Sequence, residues 1–380
     1  MRLPASLNIT NAVNIVCIAL LLSLGCFMDD AQAQEFAKVA PGKALQFPRD
    51  YGAHPDYRTE WWYVTGWLQT SDKRPLGFQI TFFRTATGHN PADPSKFAPR
   101  QLILAHAALS DPTLGKLLHD QKSAREGFGL AYAKTGDTGL KLDDWQMWRD
   151  AQGNYHARVK SPDFRLDVQL TPQQAMLLQG EQGYSQKGPS GLQASYYYSE
   201  PQLRVSGNVI RQGKQQRVTG NAWLDHEWST SVLDANSSGW DWLGANLDDG
   251  SALMAFRIRS KDGASVWSHA TLRDANGKTT QYRADQVRFV AQRQWRSELT
   301  QASYPVAATI ELDSDSSNHI GRNESTENWQ LEPLMDNQEL DARRSTGAVY
   351  WEGAVTVKRN GKPAGRGYLE LTGYHQALKF

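Results

Sequence analysis

Three short segments set ionisable side chains among large aromatic rings. His54-Pro55-Asp56-Tyr57 runs into Glu60-Trp61-Trp62-Tyr63, and further on come Trp223-Leu224-Asp225-His226-Glu227-Trp228 and Trp240-Asp241-Trp242. A carboxyl group in apolar surroundings keeps its proton to higher pH and can act as an acid. An imidazole there can donate or accept a proton, with burial disfavouring its charged form. The chemistry on offer is proton transfer, with Asp225, His226, Glu60 and Asp241 as candidate proton handlers. The rings of Trp61, Tyr63, Trp228, Trp240 and Trp242 could steady a cationic intermediate through their π faces. Equally, His226 could be a hydrogen-bonded core histidine while Asp225 and Glu227 face water. His106 sits in the most apolar strand expected after residue 33, residues 102–111, and must find a polar partner or cost stability. His54, Glu60 and His226 are its candidates. A His, His, Glu set could bind a divalent cation, but no short ligand spacing supports one, and neither metal nor cofactor is expected.

Several chemistries are absent as motifs. There is no G-x-S-x-G elbow, no phosphate-binding glycine loop and no dinucleotide fingerprint. His226-Glu227 opens like a zinc-protease motif, but Thr230 stands where the second histidine belongs. The formal net charge of +1 supplies no field for nucleic acid or an anionic bilayer, so partners should be recognised by shape and apolar contact.

The elements that must carry these residues are strands. Side chains alternate along an extended chain, so Trp61, Tyr63 and Trp67 share one face while Glu60, Trp62 and Leu68 share the other. Likewise Trp223, Asp225 and Glu227 oppose Leu224, His226 and Trp228. Both faces of the first run are aromatic: one can fill a barrel, and the other needs a second domain to pack against. Turn signals at Asp248-Asp249-Gly250, Lys261-Asp262-Gly263, Asn276-Gly277 and Asn360-Gly361 predict hairpins. The best short helix candidate is 171–179, opened by Thr171-Pro172.

A faint repeat organises the whole. Trp61-Trp62 leads a strand that turns into 77–84, and Trp240-Asp241-Trp242 leads one that turns into 252–257. The expected architecture is all-β, two lipocalin-like antiparallel barrels packed together, over 58–232 and 239–380, with an irregular arm at 34–57. Residues 1–33 read as an export signal: Arg2, an apolar core from about Val13 to Phe27, and Ala31-Gln32-Ala33 as a cleavage site. Export to the periplasm or beyond is expected, with no transmembrane segment after cleavage and no thiol, since Cys17 and Cys26 lie inside the signal. Lipid anchoring at Cys26 is the alternative.

These motifs, with Gly77-Phe78-Gln79, Phe82-Phe83-Arg84, Ser110-Asp111, Tyr350-Trp351-Glu352-Gly353 and residues 367–374, resemble the AttH and carotenoid 1,2-hydratase (CrtC-like) superfamily from about residue 50 onward. The resemblance implies two lipocalin-like barrels, an exported protein and an apolar ligand. It also implies cofactor-free, acid-catalysed hydration of an alkene, in which a His-x-Trp pair supports a catalytic Asp on a following strand. His226-x-Trp228 fits the pair, while residues 251–257 carry no carboxylate at their centre. A secreted-hydrolase label, also attached to this superfamily, finds no hydrolytic motif here. The expected function is to bind a hydrophobic small molecule, lipid or polyene, in a cavity or inter-barrel cleft lined by His54, Trp61, Trp62, Tyr63, His106, Trp228, Trp240 and Trp242. Alkene hydration or isomerisation is the second reading and a purely structural or complex-forming envelope protein the third; an envelope lipid-transport system is the candidate partner.

Overall fold

The computed structural model describes residues 35–90, 92–314 and 326–378. Residues 1–33, read from the sequence as an export signal, with Cys17 and Cys26, lie outside them. Two antiparallel sheets carry nearly all the regular structure, and the helical elements among the described residues are two single 3-10 turns, Arg49–Tyr51 and Ala284–Gln286.

The first sheet is a meander of Thr59–Thr70, Pro75–Ala86, Gln101–Asp111 and Lys116–Arg125. On its other side Thr59–Thr70 pairs with Lys214–Ser231, and the sheet continues through Ala194–Arg211 and Phe164–Thr171 to the short Ala131–Ala133. It curls until its edges approach, where Lys122 Nζ meets Asp143 Oδ2 at 2.7 Å. The second sheet repeats the plan with Ser237–Leu247 and Ala252–Ser260, closing through Lys362–Leu371 and Ala348–Arg359 to Ser303–Asp313 and Val287–Arg296. Arg257 Nη1 bonds the Phe289 carbonyl at 3.3 Å across its gap. The expected all-β pair of lipocalin-like barrels is the fold observed.

Alternation along each strand sorts the side chains into three large cores, beside a small fourth cluster of Ala108, Leu117, Leu340, Ala342 and Tyr350. Trp62, Val64, Leu68, Leu224 and Trp228 point into the first barrel, and Leu243, Ala245, Trp329 and Trp351 into the second. Tyr63, Trp67, Tyr197, Trp223, Trp242 and Phe256 form the third, between the barrels. Both faces of Thr59–Thr70 are thereby buried. The barrels approach closely at Gly77, where a Cβ would lie 2.6 Å from Ala354 Cβ; a side chain there would push them apart.

The repeat is physical as well as textual. Glu60 faces Arg84 across the first hairpin, Nε to Oε2 2.8 Å, and Asp241 faces Arg257 across the equivalent hairpin at 2.6 Å. The four turn signals all close hairpins, and Asn360 and Gly361, at φ 49° and 81°, take the left-handed pair that a two-residue turn demands. The helix expected at 171–179 does not form. Thr171 ends a strand, and Leu177–Leu178 pairs with Tyr198 and Ser199 as a short strand that sends Leu177 into the inter-barrel core; tertiary pairing overrides the local helix signal.

The terminal stretches of the described residues are laid over the barrels. Thr230 Oγ1 and the Tyr196 hydroxyl donate to the carbonyls of Ala37 and Ala40, and Phe47 and Tyr51 of the arm pack on Tyr198. At the other barrel Tyr374 packs on Tyr304 and donates to Asp241.

Candidate active site

Between the barrels lies a cleft of about 890 Å³. Its walls are the outward faces of the paired strands already named: Trp61, Tyr63 and Phe83 from the first barrel, Trp240, Trp242 and Phe256 from the second. Four carboxylates and one lysine reach this apolar space: Asp225, Glu227, Glu352, Glu370 and Lys187.

Glu352 and Glu370 stand directly opposite each other on adjacent strands. Tyr63 donates its hydroxyl to Glu352 Oε2 at 2.8 Å, and Trp240 Nε1 donates to Glu370 Oε2 at 3.0 Å. Burial, then the charge of Glu370, pushes Glu352 well above the carboxylate range. Burial lifts Glu370 to about 7, against the pull of the Trp240 bond and helped by the charges of Asp225 and Glu227. Two carboxyls so placed cannot both ionise cheaply, so the pair holds at least one proton near neutral pH.

Asp225 is the third acid. Ser199 and Trp223 donate to its Oδ1 at 2.5 and 2.7 Å, and Tyr197 to its Oδ2 at 2.8 Å. Burial nevertheless raises it to about 7, since these three bonds only partly offset desolvation. Glu227 is different in kind, because Lys187 Nζ lies 2.9 Å away. That ammonium also sits 4.1 Å from the centroid of Phe256, so the cleft holds one ion pair beside three carboxyls disposed to stay neutral.

A family model for AttH-like proteins matches residues 38–374. The chain belongs to the AttH-like family. A crystal structure described as an AttH from Nitrosomonas europaea is 60% identical and superposes with a TM-score of 0.81, covering 89% of this chain and all of that one. Kievitone hydratase from Nectria haematococca shares the fold at 12% identity and a TM-score of 0.65, over 89% of this chain and 96% of its own. CghA in complex with Sch210972 does so at 12% and 0.54, over 90% and 97%. No curated protein matches the sequence.

In this AttH-like chain the residues singled out from the sequence fall into three places. Trp61, Tyr63, His106, Asp225, Trp240 and Trp242 line the cleft. His54, Glu60, Trp62, His226 and Trp228 belong to the first barrel's interior, behind that wall. There His226 Nε2 and His54 Nδ1 meet Glu60 Oε1 at 2.8 and 2.7 Å, Arg84 holds Oε2, and His226 Nδ1 reaches the Tyr198 hydroxyl at 3.1 Å. The His226 ring stacks on Trp62 and the His54 ring on Trp228. Burial lowers His226 to about 4 despite its bond to Glu60. For Glu60 burial is outweighed by its bonds to His226 and His54 and the charge of Arg84, and its pKa falls below the ordinary range. Asp241 lies inside the second barrel, bound by Arg257, Arg259 and Tyr374.

The donor atoms of His54, Glu60 and His226 lie within 4.8 Å of one another, a spacing a divalent ion could bridge. Both oxygens of Glu60 are already committed, one to two imidazoles and the other to the Arg84 guanidinium, so a cation would enter beside a fixed positive charge. The set fits a hydrogen-bonded core better than a metal centre. His106 meets none of its three expected partners, His54, Glu60 and His226: its ring bonds Tyr350 and Ser345 at 2.6 and 2.8 Å, and burial, with His119 nearby, lowers it to about 3. It is a neutral hydrogen-bonding group in the cleft wall.

Glu352, Glu370 and Lys187 are among the cleft residues that reading the sequence did not nominate. A signal existed in two of them, a glutamate at the centre of an aromatic-apolar strand in Tyr350-Trp351-Glu352-Gly353 and Tyr368-Leu369-Glu370-Leu371.

Proposed function

We propose that the protein binds an apolar, unsaturated small molecule in the inter-barrel cleft and acts on it as an acid, adding water across a carbon–carbon double bond. The observation that carries this reading is the opposed Glu352–Glu370 pair, buried at the edge of an aromatic-lined cavity and thereby raised above the ordinary carboxylate range. Glu370 keeps some exposure to the cleft, whereas Glu352 has none, so Glu370 is assigned as the donor. Its proton passes to one alkene carbon, the π electrons form the new C–H bond, and the cation left on the other carbon faces the rings of Trp61, Trp240 and Trp242. Water adds to that carbon, and the carboxylate takes back the excess proton, leaving an alcohol and the acid restored. Asp225 and Glu352 hold the local charge near neutral while this occurs. The likeness to a named hydratase agrees with this chemistry at the level of fold. Export, with cleavage near Ala33, belongs to the same proposal, as does a lipid or polyene ligand.

The test uses purified full-length protein with a panel of linear polyenes and unsaturated lipids in ¹⁸O-labelled water, followed by mass spectrometry. Labelled alcohol is expected from the wild type, and Glu370→Gln should lower its rate by about a hundredfold. Saturable quenching of tryptophan emission with no labelled product from any member of the panel would leave a carrier, as the first expectation from sequence had it.

A further inference from the structure

Five large apolar side chains stand between 58% and 76% exposed among the described residues: Phe97, Phe128, Leu130, Leu192 and Leu299. They are far apart in sequence, yet the strand registers bring them to one end of the molecule. Phe97 lies in the loop closed by the Ala86–Gln101 pair, and Phe128 and Leu130 follow Arg125, which pairs with Leu102. Leu192 precedes Ala194, the partner of Ser231. Leu299 lies in the turn closed by Arg296 and Ser303, tied through Ser297 and Thr300 to Glu339 opposite Trp351. This is the end at which the cleft opens, since Thr85, Leu102, Ser231 and Ala348 line its mouth. No side chain of this class is exposed at the other end among the described residues.

Two further features distinguish the rim from a chance scatter of apolar residues. Phe128 holds φ 54° between two glycines that also have positive φ, a conformation an aromatic residue rarely adopts and that costs free energy. The backbone is thus held in an unfavourable state that presents the ring to solvent. Phe97 and Phe128 contact each other at 5.2 Å, and the Arg125 guanidinium lies over both rings at 4.8 and 5.3 Å. Exposed Lys96 and Arg58 flank the same mouth. Apolar tips with cations set just behind them match a lipid headgroup layer, in which rings enter the acyl boundary and guanidinium and ammonium groups stay with phosphate.

We propose that this rim docks on the surface of a lipid bilayer containing anionic lipid, so that the cleft mouth faces the membrane and an apolar ligand enters without crossing water. The inference rests on the apolar-ligand reading of the cleft, and a bare-vesicle assay separates the two. Full-length protein is floated with vesicles of phosphatidylcholine alone or mixed with phosphatidylglycerol, with no substrate present. Binding to both is expected, tighter to the anionic mixture and weakened by salt there. The double variant Phe97→Ser, Phe128→Ser should weaken it about tenfold or more with an unchanged melting temperature, as should Leu192→Ser with Leu299→Ser, which act from separate loops. Wild-type protein left unbound by both vesicle types overturns the proposal, as do both double variants binding like wild type. Sedimentation showing a dimer that the Phe97, Phe128 variant dissociates would also overturn it, by assigning the rim to a second copy of the chain. Vesicle binding that survives while hydration fails on every substrate refutes the catalytic reading alone.

Discussion

Tyr63 of the first barrel donates its hydroxyl to Glu352 of the second at 2.8 Å, across 289 positions of sequence. The bond ties the two domains at the point where the opposed acids sit. Tyr63→Phe keeps the ring and removes the donor, leaving a buried carboxyl oxygen without its partner. A loss of about 1–3 kcal/mol is expected, read as a lowered denaturant midpoint for the intact chain.

Glu370→Gln separates a titrating acid from an inert isostere. A carboxyl raised from 4.5 to about 7 in the folded state supports stability fully below 4.5, and that contribution fades as pH rises through about 7. The variant has no such loss, so its stability relative to wild type should improve by about 1–3 kcal/mol between pH 5 and 8. Parallel unfolding curves across that range check this, and a constant difference would contradict the assigned shift.

His226 governs the acid side. Its pKa is depressed from 6.5 to about 4, so protonation opposes folding and stability falls as pH drops from 6.5 through 4. Glu60, held below its ordinary 4.5, adds a further loss below that value. His226→Phe should flatten the upper part of this decline while costing about 1–3 kcal/mol at neutral pH, because Glu60 and Tyr198 lose a partner. Ligand affinity should be unchanged, since His226 faces away from the cleft; a thermal melt and a fluorescence titration measure both.

The fragment 34–232 should not behave as an independent domain. Cut from its partner it would expose Tyr63, Trp67, Tyr197 and Trp223, all buried between the barrels, a patch of the kind that drives association. Aggregation or strong binding of a hydrophobic dye is expected, and a monomeric, cooperatively folded fragment would count against the shared interface.

Strand alternation made the faces legible before any coordinates. The division of Trp61 and Tyr63 from Trp62, and of Asp225 from His226, follows from a period of two and holds throughout. What alternation could not supply was the partner of each face. Tyr63 meets Glu352, and His106 meets Tyr350, through pairings hundreds of residues apart that carry no local signature. His226 is a proton-transfer candidate by its aromatic, apolar surroundings, yet those surroundings are the barrel interior, while Asp225 and Glu227 on the opposite face of the strand look into the cleft.

The two interiors are filled, the first by rings such as Trp62, Tyr155 and Trp228 and the second by Trp329 and Trp351. The cleft proposed to take the ligand therefore lies outside both barrels, on faces that contribute nothing to either one's own core. A substitution at Trp61 or Phe83, both half-buried in the cleft wall, can alter which molecule fits with little disturbance of the packing that makes each barrel fold. Separating the two duties onto opposite sides of the same strand lets natural variation retune selectivity in small steps, and gives an engineer a set of positions to randomise at low risk to the scaffold.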